Sequence, residues 1–446
     1  MRVVTKRFWI LSNVKPRKMP RKSLTLTHQF STTSYGVVTI LVFSAILYLV
    51  YSDFRSDISS FSGPYSGPVK ILPDISPKSG TNANSSIGPM ANSYSLQKTR
   101  GKEENEDEDE EVDPLIPPLN ASKEERIIWF REKLPELEIL NSTSKSRRFH
   151  GRVLDFFKNN CSAQFFMVWL SPAKTFGPRD FLAIDTLFST NPDACLVILS
   201  HTLDSPKGYN ILKPFLDRDF QVLAVTPDVP FLVQNTPAES WLKRLKSGTM
   251  DPGSIPLFMN LSDLTRLAVL YKYGGIYLDT DIVFLNDLTG LRNAIGAQSV
   301  HRVTGRWTRL NNAVMIFDIY HPLLFEFLKE YATNFDGNRW GYNSPYLVSR
   351  VIERLGNKPE YNLTIFPPDA FYSVNWIKIP RLFKNPASTD EVGWVEKTVN
   401  NMSSHSYMIH LWNKVTRQME IEEGSVMHRL ISTHCTICQN ITNSHV

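Results

Sequence analysis

Three almost wholly apolar stretches, each the length of one strand, constrain the fold of this chain more than any other feature. They are Phe165-Phe-Met-Val-Trp-Leu170, Cys195-Leu-Val-Ile-Leu199 and Phe220-Gln-Val-Leu-Ala-Val225, with helical patterns at Arg179 to Ser189 and Tyr209 to Leu216 between them. A strand that is apolar on both faces needs cover on both faces. Such strands alternating with helices therefore predict a parallel sheet built from βαβ units, hence an α/β domain, here expected over residues 155–440. Sheets of this kind bind ligands beyond the carboxyl ends of their strands.

The next helical pattern runs from about Leu261 to Tyr273, with Leu261, Leu264, Ala268 and Tyr271 on one face and Asp263 and Arg266 one turn apart on the other. Gly274-Gly275 follows, then Ile276-Tyr-Leu-Asp-Thr-Asp281. In extended backbone, residues i and i+2 project to one face, so Asp279 and Asp281 present their carboxylates together. Like charges held that close call for a cation between them, and a hard divalent ion, Mn²⁺ or Mg²⁺, suits carboxylate oxygen. Taken by itself, the Asp263/Arg266 pair is equally well read as a local i,i+3 ion pair worth about 0.2–0.5 kcal/mol on an exposed helix.

The net charge of +5 conceals an asymmetry. Eight Lys or Arg residues lie between Arg2 and Lys22, and no acid appears before Asp53. An uncharged apolar run from Tyr35 to Tyr51, taken with its uncharged flanks, can just cross a bilayer about 30 Å thick at about 1.5 Å per helical residue. The positive-inside rule then keeps residues 1–34 cytosolic, makes 35–52 a signal anchor and puts the rest of the chain in the lumen. A cleaved signal peptide fits less well, since the basic region is long and no small-x-small cleavage site follows. Without aromatic interleaving or a recognisable module, the basic tail points to topology and excludes a nucleic-acid partner.

Residues 53–154 read as a stem. From Asp53 to about Asn120 Ser, Pro, Gly and Asn are abundant, Glu103 to Asp113 is almost wholly acidic, and the apolar content is too low to offset the entropy of ordering, while order is expected to begin near Ser122. Within it Ser122-Lys-Glu-Glu125 is a capping-box pattern that predicts a short helix near 123–134. Asn-x-Ser/Thr acceptors at Asn84, Asn120, Asn141, Asn160, Asn260, Asn362, Asn401 and Asn440 suit a lumenal surface. The four cysteines, Cys161, Cys195, Cys435 and Cys438, all lie beyond the span and permit two disulfides. Cys435-x-x-Cys438 also has the spacing of half a zinc site or a redox pair, but no second such motif accompanies it.

Taken together, Asp263, Arg266, Gly274, Gly275, Tyr277, Asp279 and Asp281 form a pattern that resembles the sugar-nucleotide site of the retaining glycosyltransferases of family 32, and within it the alpha-1,4-glycosyltransferase group. Phe165 to Trp169, Ala194 to Ser200 with Asp204 and Gly208, Asn311-Asn312, His321-Pro322 and His410-Leu-Trp412-Asn413 carry the likeness across residues 160–438. Where the family tends to have Gly-Pro before a helix, this chain has Ser344-Pro345, and no role carries over there. The resemblance implies a GT-A fold, a UDP-sugar donor held through Mn²⁺ or Mg²⁺, a glycan or glycolipid acceptor, and a Golgi membrane location. It implies catalytic roles for Asp263, Arg266, Asp279 and Asp281. Donor contacts fall to Asp263, Arg266, Tyr277, Asp279 and Trp412, and metal ligation to Asp279, Asp281 and His410. Transfer of a hexose, galactose or N-acetylglucosamine, with alpha-1,4 linkage and retention is its further implication. No linear feature identifies a nucleophile, and Asp318 receives no role.

Two other readings differ in class. Asp279-Thr-Asp-Ile-Val283 also fits the first motif of dehalogenase-type phosphohydrolases, yet the preceding strand is not strongly apolar and the later Gly-Asp-x-x-x-Asp cluster is missing. A lumenal sugar-binding or scaffolding protein without turnover would have no need of the intact carboxylates and Arg266.

Overall fold

The computed structural model describes residues 115–356, 358–439 and 441. The tail, the apolar run, most of the stem, and the acceptors Asn84 and Asn440 lie outside them. Among the described residues no helix is long and apolar enough to cross a membrane.

The three apolar runs form β1 (Gln164–Val168), β2 (Cys195–Leu199) and β3 (Gln221–Val225). A fourth strand, β4 (Gly275–Leu278), lies parallel to β1 on its other side. The sheet runs on through β6 (Ala294–Val300), β7 (Trp307–Phe317) and β8 (Thr364–Phe366), in the order β3-β2-β1-β4-β7-β6-β8. Strand β7 is antiparallel to both β4 and β6, and β8 is parallel to β6, so the architecture is a mostly parallel α/β sheet in which β7 alone runs the other way. A separate antiparallel pair joins β5 (Ile282–Phe284) to β9 (Met408–His410).

Burial explains why the first strands are apolar beyond the Gln164 and Gln221 that open β1 and β3. Phe166, Val168, Val197 and Leu199 pack with Leu261, Leu264, Leu267 and Ala268 of the Leu257–Tyr273 helix. Phe165, Met167, Leu196 and Ile198 alternate with them and meet Ile184, Leu187 and Phe188 of the Pro178–Thr190 helix on the opposite face. A third apolar cluster gathers Val283, Leu285, Ile409 and Leu411 with Met427, Leu430 and Ile431, and so ties the β5–β9 pair to the C-terminal helix Val426–His434.

Two sequence expectations need correction. Packing begins well before residue 155: Leu115, Phe130, Leu140, Phe149 and Val153 are buried in the same cluster as the sheet. The Lys123–Lys133 helix, closed by its Ser122/Glu125 capping box, is fastened by a forked ion pair from Arg126 to Asp251 at 3.0 and 2.8 Å. Polar composition hid these contacts, because a few large side chains anchor the segment. Asn260 is the second correction. Its side chain is 2% exposed inside the Leu257–Tyr273 helix and accepts a hydrogen bond from Asn343, so it cannot carry a glycan in the folded chain.

All four cysteines are bonded. Cys161–Cys195 pins the start of β2 to the segment entering β1, and Cys435–Cys438 closes a short loop after the last helix. The fully buried Asp185 carboxylate caps that loop, accepting the backbone N–H groups of Thr436, Ile437 and Cys438 at 2.8–2.9 Å. With both sulfurs bridged, Cys435 and Cys438 offer no thiolate to a metal.

Candidate active site

The site is built where the Leu257–Tyr273 helix turns into β4. Gly274 and Gly275 make that turn with φ of +66° and +97°, a region that L side chains rarely adopt. A Cβ on Gly274 would lie 2.7 Å from the Ile319 amide nitrogen, and one on Gly275 would lie 2.7 Å from the Gln164 carbonyl oxygen. These two residues let a long helix lead directly into a central strand, which delivers Asp279 to the carboxyl end of β4.

From that point the side chains alternate. Thr280 donates to the buried Asp180 on one side at 2.8 Å. Asp279 and Asp281 point the other way, and with His410 they offer ligand atoms that all lie within 4.8 Å of one another. His410 is carried there by strand pairing: Ile282 is in register with His410 across β5–β9, and Nε2 of His410 lies 3.3 Å from Asp281 Oδ1. The second Asp281 oxygen accepts the Asn413 N–H at 2.8 Å.

Arg266 joins the helix to this centre. Its guanidinium lies 2.9 Å from Asp279 Oδ1 and 3.1 Å from Asp263 Oδ1, donates to the Asn312 carbonyl at 3.1 Å, and stands over the Tyr277 ring at 4.6 Å. Tyr277 completes the cluster by donating its hydroxyl to Asp279 Oδ1 at 2.9 Å. What reads in sequence as an exposed i,i+3 pair is in fact a buried junction.

Burial sets the electrostatics. It pushes the Asp263 carboxyl up to about 6, with Arg266 opposing. Asp279 is raised as well, by burial first, with Arg266 lowering it and the like charge of Asp281 adding to the rise. Desolvation works against the Arg266 cation, but Asp279, Tyr277 and Asp263 hold its pKa above the usual range. Repulsion between Asp279 and Asp281 is what a divalent cation would relieve. Two carboxylates and an imidazole within reach of one another match the oxygen and nitrogen preference of Mn²⁺, and the carboxylates alone suit Mg²⁺.

Trp412 stands behind His410 rather than over an open cleft. The two rings are 4.3 Å apart edge to face, and the indole Nε1 donates to the Val374 carbonyl at 2.8 Å. Asp318 lies apart, paired with Arg292 at 2.7 Å.

Two residues of the site escaped the sequence reading. Asp180, held at about 6 by burial, orients Thr280 between the paired aspartates. Arg179 beside it is lowered by burial to about 10, against the pull of Asp180 and Asp281, and donates to the carbonyls of Thr416 and Met419. The signal available was Asp180 and Asp185 in a helix whose other residues are mostly apolar, since carboxylates on a buried face imply fixed partners.

Two family descriptions match this framework. Residues 177–301 match the glycosyltransferase sugar-binding region containing the DXD motif, and residues 316–442 match the alpha 1,4-glycosyltransferase conserved region. Over these two stretches the chain is similar to the alpha-1,4-glycosyltransferases. The chain is 32% identical over 295 residues to an uncharacterized Arabidopsis thaliana protein, a match covering 64% of this chain and 44% of that one. It is 30% identical over 217 residues to the lactosylceramide 4-alpha-galactosyltransferase of Mus musculus, covering 47% and 55%. Against the alpha-1,4-N-acetylglucosaminyltransferase of Homo sapiens it is 25% identical over 234 residues, covering 50% and 62%. The matched segment thus spans about half the length of the relatives. The DXD motif of the first family description is Asp279-Thr280-Asp281 in this chain.

Proposed function

We propose that this chain is a GT-A-type, single-pass type II Golgi enzyme that transfers a hexose, galactose or N-acetylglucosamine, from a UDP-sugar to a glycan or glycolipid acceptor, with alpha-1,4 linkage and retention. The observation that carries the reading is the convergence of Asp279, Asp281 and His410 against the Asp263–Arg266 junction. The two sugars come from the names of the mouse and human relatives. The basic tail and apolar run support the topology.

Asp279, Asp281 and His410 would hold Mn²⁺ or Mg²⁺, which when bound neutralises the diphosphate as its bond to the anomeric carbon breaks. The protein's own residues do the rest. Arg266 and Tyr277 both engage Oδ1 of Asp279 and so fix that carboxylate. Asp263, held by Arg266, is the group to orient donor-sugar hydroxyls, and the value of fixed orientation is a large share of the barrier. Asn413 and His410 hold Asp281, and the Thr280–Asp180 bond keeps the backbone between the aspartates from turning.

The test is a thermal-shift screen of UDP-sugars with Mn²⁺ present, followed by transfer assays. Stabilisation by at least one UDP-hexose, lost in Asp281→Asn, is expected. Stabilisation by none would remove the donor assignment.

A further inference from the structure

The site as described has a donor wall and no acceptor wall, and one contact outside it spans the gap. The segment 339–344 is rooted in the catalytic framework. Asn343, 3% exposed, donates to the Asn260 side chain at 3.0 Å, and Ser344 donates to Asn312 Oδ1 at 2.9 Å, on the residue whose carbonyl receives Arg266. At the outer end of this segment Trp340 is 51% exposed, and Lys414 Nζ sits 3.9 Å from its ring centroid. Lys414 follows Asn413, whose N–H is bonded to Asp281. Trp340 and Lys414 therefore close a bridge from the Arg266 side of the centre to the Asp281 side.

The bridge is weak by construction. A cation over an exposed indole gains about 0.5–1 kcal/mol, whereas an ammonium facing a diphosphate makes charge-assisted hydrogen bonds roughly twice as strong as neutral ones. An exposed lysine one residue from an aspartate-bound amide is placed to exchange the indole for a phosphate oxygen.

Building on the donor assignment above, we propose that Trp340 is the acceptor platform: a neutral pyranoside stacks its C–H face on the indole once Lys414 has left the ring for the donor diphosphate. The sugar nucleotide then binds first and uncovers the acceptor site. A rigid aromatic with an apolar body and a polar edge suits a sugar, whose faces are apolar and whose rim is hydroxylated.

The experiment uses the full chain with Mn²⁺, the UDP-sugar that stabilises it, and a panel of β-galactosides, β-N-acetylglucosaminides and α-mannosides. Trp340→Ala is expected to raise the acceptor KM about tenfold, corresponding to about 1.4 kcal/mol, while stabilisation by the UDP-sugar persists. Trp340→Tyr should recover most of the loss. Lys414→Gln should weaken UDP-sugar binding several-fold. An unchanged acceptor KM in Trp340→Ala, or full-strength UDP-sugar binding in Lys414→Gln, would overturn the proposal. A wild type that binds a UDP-sugar but transfers to none of the pyranosides would overturn the neutral-pyranoside assignment. A wild type stabilised by no UDP-sugar would instead remove the donor reading on which it rests.

Discussion

Arg266 decides most of what happens at the scale of single residues. It satisfies Asp263 and Asp279, takes the Asn312 carbonyl and lies on Tyr277, so its removal leaves two carboxylates facing each other in a desolvated junction. Breaking a buried pair by deleting one partner costs roughly 3–5 kcal/mol. Arg266→Met is expected to lose about that much in urea denaturation and to show no transfer. Arg266→Lys should fold better yet stay nearly inactive, because a point cation cannot replace the fork. Asp263 adds a pH dependence of definite sign. Its folded pKa of about 6 lies above the ordinary 3.8 because burial disfavours the charge. Between those values the unfolded chain has released a proton that the folded chain keeps, so the metal-free protein loses stability as pH rises from about 4 to about 6. The contribution of this group is about 3 kcal/mol. Thermal melts across that window should fall more steeply for wild type than for Asp263→Asn, and parallel curves would count against the assignment.

At the scale of elements, two short pieces of backbone make the site. The Gly274-Gly275 turn fixes where β4 begins, and the β5–β9 pairing fixes where His410 ends up. Gly274→Ala must adopt a positive φ with its Cβ 2.7 Å from a backbone nitrogen. A residue forced into that region costs about 1–3 kcal/mol, and the denaturation midpoint should fall accordingly, together with UDP-sugar stabilisation, since Asp279 shifts with the turn. The same elements show what the sequence made legible. Strands β1 to β3 were plain because almost wholly apolar runs leave few alternatives, and the helix before β4 was plain from its 3.6-residue period. Strand β7 was not: Asn311 and Asn312 interrupt its apolar pattern, for the Asn312 carbonyl serves Arg266 and its side chain serves Ser344. Register shifts along β6–β7 at the same place blur the two-residue period further. Among the site residues, Asp279 and Asp281 announced themselves by spacing. Their meeting with His410 depends on a pairing distant in sequence, and only family likeness suggested it. Asp180 stayed hidden because a carboxylate near the start of a helix ordinarily reads as a capping residue.

For the whole molecule, the question is where the folding unit begins. Composition suggests residue 155, yet Phe130 and Phe149 are fully buried against the sheet cluster, and Arg126 forks onto Asp251 beyond it. A phenylalanine buried to this degree costs about 3–5 kcal/mol when truncated to alanine, and the whole stability of a domain is about 5–15 kcal/mol. Losing Phe130, Leu140, Phe149 and Val153 together would therefore exceed the margin, even before Asp251 is left without its arginine. A chain starting at residue 155 is expected to be insoluble or to lack a cooperative thermal transition. One starting at residue 115 should melt cooperatively and keep its UDP-sugar stabilisation. Within the intact chain, Phe149→Ala should lower the denaturation midpoint by an amount matching about 3–5 kcal/mol. Cooperative melting of the 155 start at the temperature of the 115 start would show that residues 115–154 pack on the domain without holding it together.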